Sequence, residues 1–186
     1  CFWGKYKVIL HYKIITMKAN KNYPKSFSHI GITVPDIQKA VSFYSEVMGW
    51  YVIMEPSKVK KETDTAIGQM CIDVFGKDWE EFEIAHLATS DGIGVELFSF
   101  PQGVKEAPKF NPFNTGLFHF CIQDPSIEDL IEKIKAYGGK QRMPIREYYP
   151  KEKPFKMCYV EDPFGIVFEI YTHSYELTYS SGAYTG

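Results

Sequence analysis

At 186 residues, with 45% apolar and 24% charged side chains and 14 Phe, 13 Tyr and 3 Trp, the chain has room for one compact domain, or two fused half-size modules around one core. Its 21 Lys plus Arg against 23 Asp plus Glu give a net charge of −2, which removes the electrostatic case for nucleic acid or an anionic membrane and leaves a small molecule as partner. The four cysteines, Cys1, Cys71, Cys121 and Cys158, contain no C-x-x-C pair and read as reduced thiols of a cytoplasmic protein; no apolar run approaches the roughly 20 residues of a spanning helix.

Residues 1–24 read as an N-terminal extension. Lys5, Lys7 and Lys13 interrupt its apolar residues and spoil a signal-peptide core, and MKANK at Met17 marks the expected natural start, with the preceding residues as upstream sequence. SFSHIGITVPDIQKAVSFYSEVMGW then predicts a strand, a Pro-Asp turn and a helix with Ile37, Ala40, Val41, Tyr44 and Met48 along one side, stopped by Gly49. Strand-like segments follow at Tyr51–Met54, Met70–Phe75, Phe82–Ala88 and Gly94–Phe100. Between the first two, the polar stretch EPSKVKKETDTAIG reads as an insertion, with Lys58–Lys61 in a solvated loop. Residues 101–115, rich in Pro, Gly and Asn, read as a linker.

The same order then recurs. GLFHFCIQDPSIEDLIEKIKAYGG predicts a strand, an Asp-Pro turn with Ser126 as N-cap, and a helix whose Ile127, Leu130, Ile131 and Ile134 form one stripe before Gly138 and Gly139. Further strands are expected at Gln141–Arg146, Lys156–Val160 and Ile166–Thr172, and 173–186 form a tail. The layout is β-α-β-β-β twice, in modules 25–100 and 116–172 of a single α+β domain spanning 25–172, with the helices outside and a concave face free for a ligand.

Strand alternation decides what that face carries. Ile30, Ile32 and Val34 point to the helix side and leave His29 on the other; Phe118, Phe120 and Ile122 likewise leave His119 and Cys121. Each module ends on a strand with a central glutamate, Glu96 in GVELF and Glu169 in VFEIY, whose apolar neighbours demand burial on the opposite face. Any one of these four residues taken alone is an ordinary strand histidine or carboxylate. The repeat of His then Glu, twice, points instead to one divalent metal held by two imidazoles and two carboxylates, with positions open to water or substrate. His86 and His173 lack that symmetry and receive no metal role, although His173 shares parity with Glu169 and Tyr171 and is expected to line the cavity. Phe98, Phe100 and Tyr171, with Phe113, are the candidates for an apolar substrate wall.

Over Phe27 to Thr172 the chain resembles the vicinal oxygen chelate superfamily of glyoxalases, bleomycin resistance proteins and extradiol dioxygenases. The carriers are HIGITVPDIQKAVSFYSEVMGW, GVELF, GLFHFCIQD with its helix and GG, and CYVEDPFGIVFEIY. The resemblance implies an open, eight-stranded barrel-like sheet, a homodimer, and one metal (Zn, Ni, Co, Mn or Fe) at His29, Glu96, His119 and Glu169, a set similar to that of glyoxalase I. It further implies a lyase or isomerase reaction on a 2-oxo or 2-hydroxy carbonyl substrate through a metal-bound enediolate, with Glu169 as base and Glu96 sharing that role. Where many glyoxalases carry an arginine and an asparagine for glutathione, this chain has Thr33 and Phe100. Two other members' functions stay open: a metal-independent, antibiotic-like binding protein, and an iron-dependent extradiol dioxygenase, which the second carboxylate disfavours.

Overall fold

The computed structural model describes residues 25–103, 105–106 and 109–179; the extension with Met17, and the end of the tail, lie outside the described residues. Strand β1 (His29–Thr33) leads through Asp36, whose side chain accepts the Lys39 N–H, into α1 (Ile37–Ser42), continued by a π-helical turn over Phe43–Val47. Then come β2 (Tyr51–Lys60), α2 (Ala66–Phe75), β3 (Glu81–Ala88) and β4 (Gly94–Ser99). The second module comprises β5 (Phe120–Gln123), α3 (Ile127–Ala136), β6 (Lys140–Gln141), β7 (Arg146–Tyr149), β8 (Lys153–Glu161) and β9 (Val167–Tyr171), and α4 (Tyr175–Tyr179) follows.

The strands form two sheets, one ordered β1-β4-β3-β2 and the other β5-β9-β8-β6 with β7 also on β8; within each, the first strand runs parallel to the last. The described residues thus hold nine strands in two sheets, where eight in one barrel-like sheet were expected. The helix-side faces of both sheets meet in one core: Ile32, Val34, Val95 and Leu97 share a cluster with Ile131, Ile134, Phe168 and Ile170. Tyr44 stacks on Trp50 at 4.9 Å, and Trp50 reaches Phe120 of the second module at 6.3 Å. The opposite faces, with His29 and Glu96 on one sheet and Glu169 on the other, look away from this core. Among the described residues no helix is long and apolar enough to cross a membrane, and Cys71, Cys121 and Cys158 are free thiols.

Three local expectations are corrected. Met70–Phe75 is the end of α2, not a strand: Thr65 Oγ1 accepts the Gly68 N–H at 3.0 Å to start the helix, and Gly76, at φ +79°, stops it. Met-Cys-Ile-Asp-Val-Phe is a short, almost wholly apolar run, which periodicity alone cannot assign to strand or helix. Lys58–Lys61 is no loop, because β2 runs on to Lys60 and Lys58 pairs with Glu81 at 3.0 Å. Gln141–Arg146 is broken into β6 and β7, since Pro144 between them lacks the N–H that a ladder needs. Ser126 sits at the N-cap of α3 but its side chain makes no capping bond; Asp124 Oδ1 instead accepts the Ser126 N–H at 2.7 Å.

Past α3, Gly138 takes φ +90°, and a Cβ on Gly139 would fall 2.5 Å from both Ile134 Cγ2 and the Glu161 carbonyl oxygen. Gly139→Ala is therefore expected to cost about 2 kcal/mol by overpacking, read as a lower urea midpoint with unchanged slope.

Candidate functional site

The first pair forms where β1 and β4 lie side by side. Val95 and Leu97 are buried in the core, so alternation turns Glu96 to the other face, and the His29 ring comes from the neighbouring strand. His29 Nδ1 lies 3.2 Å from Ser28 Oγ, which leaves Nε2 turned toward Glu96 Oε2 at 3.9 Å. On the other side of Glu96, His86 sits directly opposite it in the β3–β4 ladder, with Nδ1 3.7 Å from Oε1. The sequence reading left His86 without a role; the hairpin from β3 to β4, which sets His86 against Glu96, was the signal that would have found it.

The second pair repeats the plan at greater depth. Glu169, in mid-β9, is only 4% exposed, and Cys121 of β5 and Tyr159 of β8 flank it in register. His119, just ahead of β5, points Nε2 at Glu169 Oε2 from 3.4 Å. Its ring is held edge-on by Phe118 and Tyr159, at centroid distances of 4.5 and 5.0 Å. Burial pushes the Glu169 carboxyl above its ordinary range, although the charge of His119 and hydrogen bonding by Tyr159, Tyr171 and Cys121 pull the other way. The same surroundings, burial first and then the Glu169 charge, push the Tyr159 phenol and the Cys121 thiol each up to about 12. Both stay protonated at neutral pH beside the Glu169 carboxyl.

The remaining predicted residues part company. Tyr171 and His173 line a cleft of about 840 Å³ where the modules meet, together with His119, Cys121, Trp50 and Val95. Phe98 and Phe100 pack beneath α2, 6.1 and 5.3 Å from the Phe75 ring, in a cluster with Trp79 and Phe82. Phe113 is fully exposed. A hydroxyl chain absent from the sequence reading crosses the Glu169 face: Tyr148 donates to Tyr179 at 2.8 Å, and Tyr179 meets Tyr171 at 2.6 Å, which lays α4 over that face.

The four predicted ligands thus assemble as two pairs, and among the described residues no hydrogen bond or ion pair joins one pair to the other. No three His, Cys, Asp or Glu side chains there converge into a ready metal-holding group. Each pair nevertheless suits a divalent ion. Two ligand atoms each about 2.1 Å from one ion stand roughly 3 to 3.5 Å apart, as His119 Nε2 and Glu169 Oε2 do at 3.4 Å; the first pair is slightly wider. A buried carboxylate with a raised pKa is also short of the positive charge that a metal supplies.

A family model described as the Glyoxalase/Bleomycin resistance protein/Dioxygenase superfamily matches residues 26–170. The chain is 26% identical over 148 residues to a lactoylglutathione lyase of Arabidopsis thaliana, covering 78% of this chain and 44% of that protein, so it spans less than half the length of the curated relatives it matches. A glyoxalase family protein of Bacillus cereus shares the fold at a TM-score of 0.64 and 21% identity, over 82% of this chain and 96% of that one. A genomically encoded fosfomycin resistance protein of Listeria monocytogenes, crystallised with Mn(II) and sulfate, does so at 0.51 and 16%, over 83% and 97%. With the family model matching most of the chain, and two sheets that each pair their first strand parallel to their last, the chain belongs to the glyoxalase/bleomycin resistance protein/dioxygenase superfamily.

Proposed function

We propose that this protein is a metal-dependent, glyoxalase-like lyase or isomerase acting on a small 2-oxo or 2-hydroxy carbonyl compound, free or as a thiol adduct. The observation that carries the reading is the repeated pair: a histidine at the entry to the first strand and a glutamate in the middle of the last strand of each module, each nitrogen turned to a carboxylate oxygen. In this reading His29, Glu96, His119 and Glu169 hold one divalent ion among Zn, Ni, Co, Mn and Fe, and the active form is a homodimer.

When bound, the ion supplies a Lewis acid for two adjacent substrate oxygens and stabilises the negative charge that builds on them. The protein's own part is proton transfer. Glu169, made more basic by burial, takes the proton from the carbon beside the carbonyl and returns it to the neighbouring carbon, while Tyr159 and Cys121 keep its oxygens aimed. Glu96, more open to solvent, is the second carboxylate in reach. The thiol need not be glutathione: Phe100, at the position of a usual glutathione anchor, is engaged in the aromatic cluster under α2.

The test is metal analysis after reconstitution, followed by hemithioacetal isomerisation with several thiols. One divalent ion per site, and turnover that a chelator removes and metal restores, is the expected result. No bound ion, with tight small-molecule binding indifferent to chelator, would replace the enzyme with a binding protein, and oxygen uptake with a catechol would replace it with a dioxygenase.

A further inference from the structure

Glu96 lacks the hydroxyl and thiol donors that surround Glu169. Among the described residues its carboxylate meets only two polar groups, one imidazole nitrogen facing each oxygen: His29 Nε2 at 3.9 Å from Oε2 and His86 Nδ1 at 3.7 Å from Oε1. The two rings are not equivalent. His29 has Nδ1 occupied by Ser28 and presents Nε2, whereas His86 presents Nδ1 and has no other polar contact among the described residues.

The repeat explains the difference. In the second module the strand antiparallel to β9 places Tyr159 directly opposite Glu169; in the first, the strand antiparallel to β4 places His86 directly opposite Glu96. Equivalent positions therefore each set a side chain with a ring-borne polar hydrogen beside the module's carboxylate. We propose that His86 is a positioning residue for Glu96, its Nδ1–H donating to Oε1 so that Oε2 is left for the metal ion, an inference that rests on the metal-dependent reading above. The gap of 3.7 Å has to close by less than 1 Å to reach hydrogen-bonding distance, and both side chains are about a third exposed or less, with room to turn. A carboxylate ligand with no hydrogen bond to its second oxygen swings between one- and two-oxygen binding. Loss of such an outer partner weakens a metal site by about 10- to 100-fold.

The experiment is a competition titration of the metal-free full chain with Co(II) against a chromophoric chelator, with the visible Co(II) spectrum recorded. His86→Ala is expected to bind about 10- to 100-fold more weakly and to shift the spectrum. His86→Asn, whose amide nitrogen falls near the place of Nδ1, is expected to return affinity to within roughly threefold of wild type, with all three metal-free proteins melting alike. Equal affinity of wild type and His86→Ala, no rescue by His86→Asn, or a shared loss of folding in both variants would overturn the assignment. Absence of Co(II) binding by the wild type would instead bring down the functional reading itself.

Discussion

Replacing Glu169 by glutamine is expected to lower kcat by about a thousandfold or more and, at the same time, to raise the melting temperature of the metal-free protein at neutral pH. The first effect follows from removing the base that moves the proton. The second follows from burial: the Glu169 carboxyl is held above its ordinary range chiefly because its charge is desolvated. A carboxyl raised in this way contributes stability that is full below its unfolded value of about 4.3 and is lost as pH rises through the higher folded value. At neutral pH the wild type therefore bears a charge cost that glutamine does not. The metal-free wild type should lose stability with rising pH across that window, and the variant should show a shallower loss; Asp162, also raised by burial, contributes to both. Added metal should narrow or reverse the gap by binding the wild-type folded state more tightly. Turnover in the variant within tenfold of wild type would remove Glu169 as the base, and a lower melting temperature would show that its charge is already compensated without metal.

The largest expected effect on stability belongs to Asp162, far from the proposed chemistry. This residue is 2% exposed and receives the Tyr44 hydroxyl at 2.7 Å and the Phe164 and Ile166 N–H groups at 2.8 Å each. Tyr44 comes from the first module and Asp162 from the turn before β9, so the pair ties the two modules inside the shared core. Asp162→Ala would strand three buried donors and open a cavity, at a cost of about 3 kcal/mol. Asp162→Asn keeps an acceptor for both N–H groups and lets the Tyr44 hydroxyl turn to accept, so its loss should be well under half of that. Urea denaturation followed by tryptophan fluorescence measures both, and a cost for alanine below about 1 kcal/mol would show that the modules do not depend on this tie.

How far the sequence could be read depended on which interactions are local. The repeat, both principal helices and the direction of His29, Glu96 and Glu169 follow from alternation and helical spacing, which neighbouring residues fix. α2 was missed because Met70–Phe75 is a short apolar run that fits a buried strand as well as a helix, and Thr65 and Gly76 at the two ends mark it as a helix. His86 and Tyr159 were missed for a different reason. Their place beside the glutamates is set by ladder register between strands, and register depends on the partner strand as much as on the residue itself. Phe98 and Phe100 have the expected parity, yet nothing in their own strand announces that an inserted helix would cover them.

The two covers over the ligand-bearing faces have different origins in the chain. Among the described residues, α2 lies within the first module and has no counterpart in the second, and α4 follows the second module and has none after the first. The strands that present histidine and glutamate are copies of one another, but the roofs above them are not. Substitutions in α2 or α4 can therefore alter what reaches one pair of ligands without moving the strands that hold either pair.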